Sequence, residues 1–357
     1  MRKWAIVAGA VLLLIGTALA FGRPWLAQRA FDRALDQNLG IDKSLALGDG
    51  ISAYVCGSGS PMPDADRAGP CIAVLAGNQS FIFDSGSGSI RKLMRMGFPM
   101  EKLQAVFLTH LHSDHIDGLG ELLLQSWIAG SRSSPTPVYG PAGTDQVVAG
   151  FRQAYTLDEG YRVAHHGPKV ANPAGYGGTA QIITLPDGAD SQVVYDKDGV
   201  KITVIRVNHA PIAPAYGYRI DYKGRAMTLS GDTVYAPSFV NASKDADLMF
   251  HDAMNKQMVA AMGKKLAERG RANTAQIMHD IQNYHASPED AARAAREAGV
   301  KALVLYHLVP PVPAKLIEPL FLGKAPAMFG GTLKLAEDGM IVSLPAGSKD
   351  VKFSSGW

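Results

Sequence analysis

The segment Ala105–Gly118, AVFLTHLHSDHIDG, limits the fold more than any other stretch of this chain. Its short apolar run, Ala105 to Thr109, reads as a buried strand that delivers three histidines and an aspartate within the next six residues. Extended chain points alternate residues the same way about 6 to 7 Å apart, so His110 and His112 can converge on one cation. Asp114 and His115 follow at the turn into a helix and can reach a second cation beside the first. Neutral imidazole with carboxylate suits zinc at a site with an open position, and two such ions roughly 3.5 to 4 Å apart would share a bridging water. A lone histidine has an ordinary structural explanation, whereas four ligating side chains at one strand end do not.

The rest of the chain can supply what such a site needs. With 357 residues, 47% of them hydrophobic and 19% charged, it can bury a sizeable core, which excludes disorder as a whole. Two cysteines cannot build a Cys-rich zinc scaffold, so a metal site must draw on the 10 histidines and the carboxylates. Apolar runs ending in turn residues, Ile51 to Cys56, Cys71 to Ala76 and Phe81 to Phe83, predict an antiparallel meander. Beyond Ala105, strand-like runs at Ile202 to Val207, Tyr218 to Tyr222, Ala226 to Ser230, Leu248 to Phe250 and Lys301 to Tyr306 alternate with helical ones, and the class is mixed α/β. Ser287, Pro288 and Asp290 open a capped helix that Gly299 stops. The Gly- and Pro-rich stretch His165 to Thr179 reads as a functional flap or a loose loop.

At the N-terminus, Arg2 and Lys3 precede nineteen uncharged residues, Trp4 to Gly22. This predicts a signal peptide or membrane anchor over residues 1–22, followed by a linker helix over 23–43 and a catalytic domain over 44–357. The expected location is then periplasmic or otherwise extracytoplasmic, with the membrane as a partner through the N-terminal segment. An oxidising compartment favours pairing of Cys56 with Cys71; the alternative is two buried free thiols on neighbouring strands. Neither cysteine lies near a histidine in sequence, which argues against metal ligation by them. The formal charge of +3, from 35 basic and 32 acidic residues, is too small for a dedicated nucleic-acid binder.

THLHSDHIDG resembles the HxHxDH motif of the metallo-β-lactamase superfamily, and the likeness extends from about Ser44 onward. Gly57-Ser58-Gly59-Ser60-Pro61 and Phe83-Asp84-Ser85-Gly86 resemble the first turns of its ribonuclease Z and arylsulfatase-like branch. Asn208-His209-Ala210-Pro211, Ser230-Gly231-Asp232-Thr233 and Tyr306-His307 match later metal-binding motifs in the same order. The resemblance implies an αββα sandwich and two Zn²⁺, with His110, His112 and His209 on one, Asp114, His115 and His307 on the other, and Asp232 bridging. Asp84 and Thr109 would stand behind these ligands. His251-Asp252-Ala253 and His285-Ala286-Ser287 resemble motifs whose acidic residue and histidine assist leaving-group protonation. Asp252 stands where that pattern has Glu, one methylene longer, which puts the relay to His285 in doubt. His165, His166 and His279 lie outside the pattern.

The expected activity is hydrolysis through a metal-bound hydroxide, with Asp114 orienting the water and Asp252, His251 and His285 serving the leaving group. Two Zn²⁺ against Asp114, Asp232 and hydroxide leave about one positive charge, which suits an anionic ester. Phosphodiesters or sulfate esters are the expected substrates; a lactone or amide is the enzymatic alternative. A non-hydrolytic metal-binding protein or a di-iron redox protein on the same scaffold is the alternative of a different class; the redox pattern carries Glu where this chain has His112. Only 23 positions separate His209 from Asp232, too few for a tRNA-gripping arm. The expected partner is therefore a small anionic ester and no nucleic acid; a homodimer is possible.

Overall fold

The computed structural model describes residues 2–357, and the chain divides into two compact units, residues up to Lys43 and Ser44–Trp357. The first unit contains one 37-residue helix, Arg2–Asn38, with Pro24 inside it. One helix runs through both the apolar stretch and the amphipathic stretch that follows. No helix among the described residues is long and apolar enough to cross a membrane. The nineteen-residue run sits at the short end of the roughly 20 apolar residues a span requires. Met1, and several side chains of that run, lie outside the described residues.

The second unit is a two-sheet sandwich. The chain lays down β1 (Gly50–Gly57), β2 (Cys71–Ala76), β3 (Gln79–Phe83), β4 (Leu103–Phe107), β5 (Thr136–Gly140) and β6 (Gly178–Ile182). It then builds the other sheet from β7 (Ser191–Lys197), β8 (Val200–His209), β9 (Ile212–Tyr222), β10 (Arg225–Leu229), β11 (Leu248–Met254), β12 (Ala302–Val309) and β13 (Thr332–Leu335). Finally β14 (Met340–Pro345) and β15 (Lys352–Ser355) return to the first, giving the orders β15-β14-β1-β2-β3-β4-β5-β6 and β13-β12-β11-β10-β9-β8-β7. Pairing is antiparallel from β15 to β3 and from β7 to β10, and parallel from β3 to β6 and from β10 to β13. Strands β1, β2, β3, β10, β11 and β12 are buried along their whole length, which is why they read as unbroken apolar runs rather than as alternation.

Between the sheets, Ile51, Val55, Phe81, Phe83 and Phe107 of the first meet Tyr218, Ile220, Phe250 and Val304 of the second. Phe83 stacks on Phe107 at 5.2 Å and Phe107 on Tyr139 at 4.9 Å, while Tyr218 of the facing sheet meets Phe107 edge-on at 5.4 Å. Each such side chain contributes roughly 1.5–3 kcal/mol by leaving water. Helices cover the outer faces. Leu119–Ile128 buries Leu119, Leu122 and Leu123 on the first sheet, and Pro288–Ala298 buries an alanine face on the second. That last helix has the anticipated capping box, with Ser287 and Asp290 reciprocally bonded and Gly299 left-handed at its end.

Cys56 and Cys71 form a disulfide across β1 and β2, closing a separation of 15 residues, so the free-thiol alternative does not apply. A loop of that size contributes about 3 kcal/mol. The stretch His165 to Thr179 is neither flap nor loose loop. The helix Thr156–His166 ends within it, β6 begins within it, and Ala171 and Tyr176 are buried against Trp127, whose Nε1–H donates to the Asn172 carbonyl at 2.6 Å.

Candidate metal centre

The candidate ligands arrive from strand ends at one edge of the sandwich. Asp84 follows β3; His110, His112, Asp114 and His115 follow β4; His209 ends β8; Asp232 follows β10; and His307 lies in β12. The loop after β4 is pinned by the facing sheet, where the Tyr218 hydroxyl donates to the Leu108 carbonyl at 2.7 Å and the Tyr216 amide to the Thr109 carbonyl at 2.9 Å. Gly231 brings Asp232 in close. It sits at φ +61, and a Cβ there would lie 2.6 Å from the Tyr216 carbonyl oxygen and 2.9 Å from Thr109 Cβ, so no other residue fits.

His307 was anticipated just after a strand ending at Tyr306; it is instead inside β12. Asp252 pairs with Tyr306 and Ala253 with Leu308, which leaves His307 as the extra residue of a bulge. Its φ is +47, and that of Asp84 is +56, a left-handed backbone that Asp and His adopt more readily than most residues.

Hydrogen bonds behind the cluster set the tautomers. The Asp84 carboxylate accepts from the Thr109 amide, the Thr109 hydroxyl and His115 Nδ1–H, each at 2.8 Å. Since the Thr109 hydroxyl spends its proton on Asp84, it accepts from His110 Nδ1–H at 3.0 Å. His209 Nδ1–H donates to the Tyr284 carbonyl at 2.9 Å. All three rings therefore turn a lone pair at Nε2 into the cluster. His112 Nδ1 lies 2.9 Å from His110 Nε2 and 3.3 Å from His209 Nε2, so it can donate to at most one of them. His115 Nε2 and Asp232 Oδ1 are buried without hydrogen-bond partners. Acceptors facing acceptors in a buried pocket would be satisfied by a cation between them.

Three groups have ligand atoms within 4.8 Å of one another: His110 with His112, His209 and Asp232; Asp114 with His115 and His307; and Asp232 with His285 and His307. Asp232 Oδ2 stands 3.3 Å from His115 Nε2 and 3.3 Å from His307 Nε2, so it faces both. Burial pushes His110 well below the usual imidazole range, the state a ligand needs. Burial also acts to lower His115, yet Asp232, Asp84 and Asp114 outweigh it and push that ring well upward. The same carboxylates that would hold a proton there would hold a metal ion.

The hydrogen bond that the shorter Asp252 put in doubt is formed. His285 Nδ1 is 3.0 Å from Asp252 Oδ2, and His251 Nδ1 is bonded to the Asp252 carbonyl at 2.9 Å and lies 3.1 Å from its Oδ1. His285 lines the cleft in front of the cluster, whereas Asp252 and His251 are fully buried behind it. The separation of His165, His166 and His279 from this set is as the motif pattern implied; His279 is exposed beside Asp280.

Sequence reasoning missed three features. The Tyr284 carbonyl and the Tyr218 hydroxyl have no motif of their own. A cleft of ≈ 1020 Å³ also opens onto His112, Asp114, Asp232, His285 and His307. Its walls include Met254, Met258, Met262, Met278, Ile277 and Ile281, mainly from the helices Lys256–Glu268 and Ala272–Asp280. The only signal for that pair was apolar residues at helical spacing in a stretch without strand character.

The described beta-lactamase superfamily domain matches residues 80–308. Ribonuclease Z of Mycobacterium marinum is 37% identical over 290 residues, covering 81% of this chain and 96% of that protein; ribonuclease Z of Mycobacterium avium is 36% identical over the same share. Among solved structures, the metallo-β-lactamase-fold protein YhfI of Bacillus subtilis superposes with a TM-score of 0.58 at 24% identity, covering 82% of this chain and 98% of that one. Human tRNase Z, short form, gives 0.57 at 21% identity, covering 82% and 99%. These two likenesses show the fold.

The expectation of a small anionic ester and no nucleic acid is overturned by relatives that are ribonucleases along almost their full length. The error was physical. Net charge summed over a chain does not report the local field at a site. The interval between His209 and Asp232 is also only one connection; the one between β5 and β6 carries two helices, Thr144–Ala154 and Thr156–His166.

Proposed function

The chain belongs to the metallo-β-lactamase superfamily as a ribonuclease Z-like metal-dependent hydrolase, and from that premise we propose that its centre holds two zinc ions and cleaves a phosphodiester bond of RNA. The observation that carries this reading is the pair of ligand groups meeting at Asp232, with lone pairs set toward the cluster by Asp84, Thr109 and Tyr284. Bound there, zinc would lower the pKa of a shared water and draw off charge developing on the phosphate. Asp114, which faces the cleft, orients the attacking water through its carboxylate. His285, held at Nδ1 by Asp252, presents its other nitrogen as a proton donor to the departing oxygen. His251 is bonded in turn to the Asp252 backbone carbonyl.

Cleavage of an oligoribonucleotide and of bis(4-nitrophenyl) phosphate by zinc-loaded protein tests the reading. Both are hydrolysed, and His285→Ala lowers the rate on RNA, whose leaving alkoxide needs a proton, by about 100-fold or more. The loss on the activated nitrophenyl ester is below about tenfold, since nitrophenolate leaves unassisted. No hydrolysis of RNA, or equal losses on both at unchanged metal content, sinks the assignment.

A further inference from the structure

The cleft in front of the cluster has an unusual lining for an enzyme whose relatives act on a polyanion. Apart from Asp114, Asp232 and the histidines of the centre, no charged residue lines it among the described residues. Further phosphates of an oligonucleotide would find only the hydroxyls of Ser60, Ser113, Thr274 and Tyr284 and no cationic side chain inside, whereas phosphate binding draws its strength mainly from Lys and Arg. The walls are methionine, isoleucine and proline, and unbranched methionines adapt to apolar groups of varied shape. The far end is open, with Met262 39% and Ile277 53% exposed, so an occupant can extend outward from the centre. At ≈ 1020 Å³ the cleft reaches the upper end of the roughly 300–1,000 Å³ of ligand pockets.

We propose that this cleft receives a long apolar arm of a phosphodiester whose phosphorus sits at the centre, which gives the protein a second activity, hydrolysis of amphiphilic phosphodiesters. The proposal rests on the reading of the centre as a phosphodiester hydrolase and goes beyond RNA. The charge argument favours an alkyl chain over stacked nucleobases, because bases arrive with their phosphates attached. In the reaction, water oxygen bonds to phosphorus and the P–O bond to the leaving alcohol breaks. The alcohol takes up one proton of the water, and the apolar arm remains on a phosphate monoester.

The test uses 4-nitrophenyl alkyl phosphates of increasing chain length, methyl to octyl, with nitrophenolate release as readout. Binding of n-octylphosphonate, whose alkyl arm is held by a P–C bond and which has no ester bond to cleave, is followed in parallel by calorimetry on the metal-free and the zinc-loaded full chain. In the intact protein kcat/KM rises by up to about tenfold for every two methylenes that enter the cleft. Binding of the phosphonate carries a negative heat-capacity change. Met262→Glu and Ile277→Glu, both at the exposed end and so compatible with folding, pull the octyl-to-methyl ratio toward one. A flat chain-length series with no phosphonate binding overturns the proposal, as does competition by an oligoribonucleotide that Met262→Glu abolishes. Chain-length-dependent phosphonate binding without hydrolysis of any phosphodiester supports the cleft and instead refutes the hydrolase reading on which it rests.

Discussion

Asp232 is the residue on which both halves of the proposed centre depend, since its Oδ2 faces His115, His307 and, at 3.9 Å, His110. Asp232→Ala is expected to lose more than one equivalent of zinc per chain, whereas His110→Ala empties mainly one site; elemental analysis of purified protein reads both. A single equivalent in the native chain, retained in Asp232→Ala, would remove the dinuclear assignment. A more distant residue tests the scaffold. The Tyr218 hydroxyl holds the Leu108 carbonyl from the opposite sheet, so Tyr218→Phe leaves a buried acceptor unpaired. This costs about 1–3 kcal/mol. It also weakens zinc binding by about tenfold or more, because the loop that carries His110 and His112 loses an anchor. Denaturant unfolding and a zinc competition titration measure the two, and an unchanged midpoint with unchanged affinity would count against it. At this scale most of the candidate ligands were legible because they sit in short motifs at strand ends, whereas His307 lies within β12. Tyr218 was not legible, because its role is fixed by a partner 110 positions away.

Among elements, the junction of β10, β11 and β12 carries an ion cluster in which Arg225 and Asp247 are buried and Lys301 is exposed. Asp247 accepts from Arg225 Nε at 2.8 Å and from Lys301 Nζ at 2.6 Å, just before β11 begins. Burial acts to raise its carboxyl, but the bonds to Arg225 and Lys301 prevail and hold it below the usual carboxylate range. A depressed value in the folded chain adds stability that is present above the unfolded value near 4 and lost as pH falls through the folded one. Asp247→Asn is therefore expected to cost about 3 kcal/mol near neutral pH. The gap to the native protein should narrow as pH drops below about 4. Urea unfolding of metal-free protein across that range decides it, a pH-independent gap being the contrary result. The strands of this junction were legible as apolar runs, and the helix Pro288–Ala298 from its capping residues. The helices Thr144–Ala154, Thr156–His166, Lys256–Glu268 and Ala272–Asp280 were not, since their packing partners are remote in sequence and only Lys256–Glu268 follows a capping side chain, Asn255.

For the whole molecule, the mixed class follows from the pattern of apolar runs and the sandwich from the motif resemblance, while the apolar cleft emerges only in three dimensions. Its walls come from segments around Met62, Met258, Ile277 and Ile317, which no local pattern joins. The bulge in β12 separates two kinds of information in the same strand. Ala302, Val304 and Tyr306 face the space between the sheets, and Leu303 and Leu305 the helical side; Leu308 is again on the helical side, so the even-odd alternation is inverted at His307. Excising residue 307 would join Tyr306 to Leu308, restore the parity and leave every core side chain on its own face. The shortened chain is expected to unfold cooperatively by calorimetry, close to the native temperature, yet to bind less zinc; loss of the folded state itself would refute this. His307 is thus a position that the alternation of the core does not count.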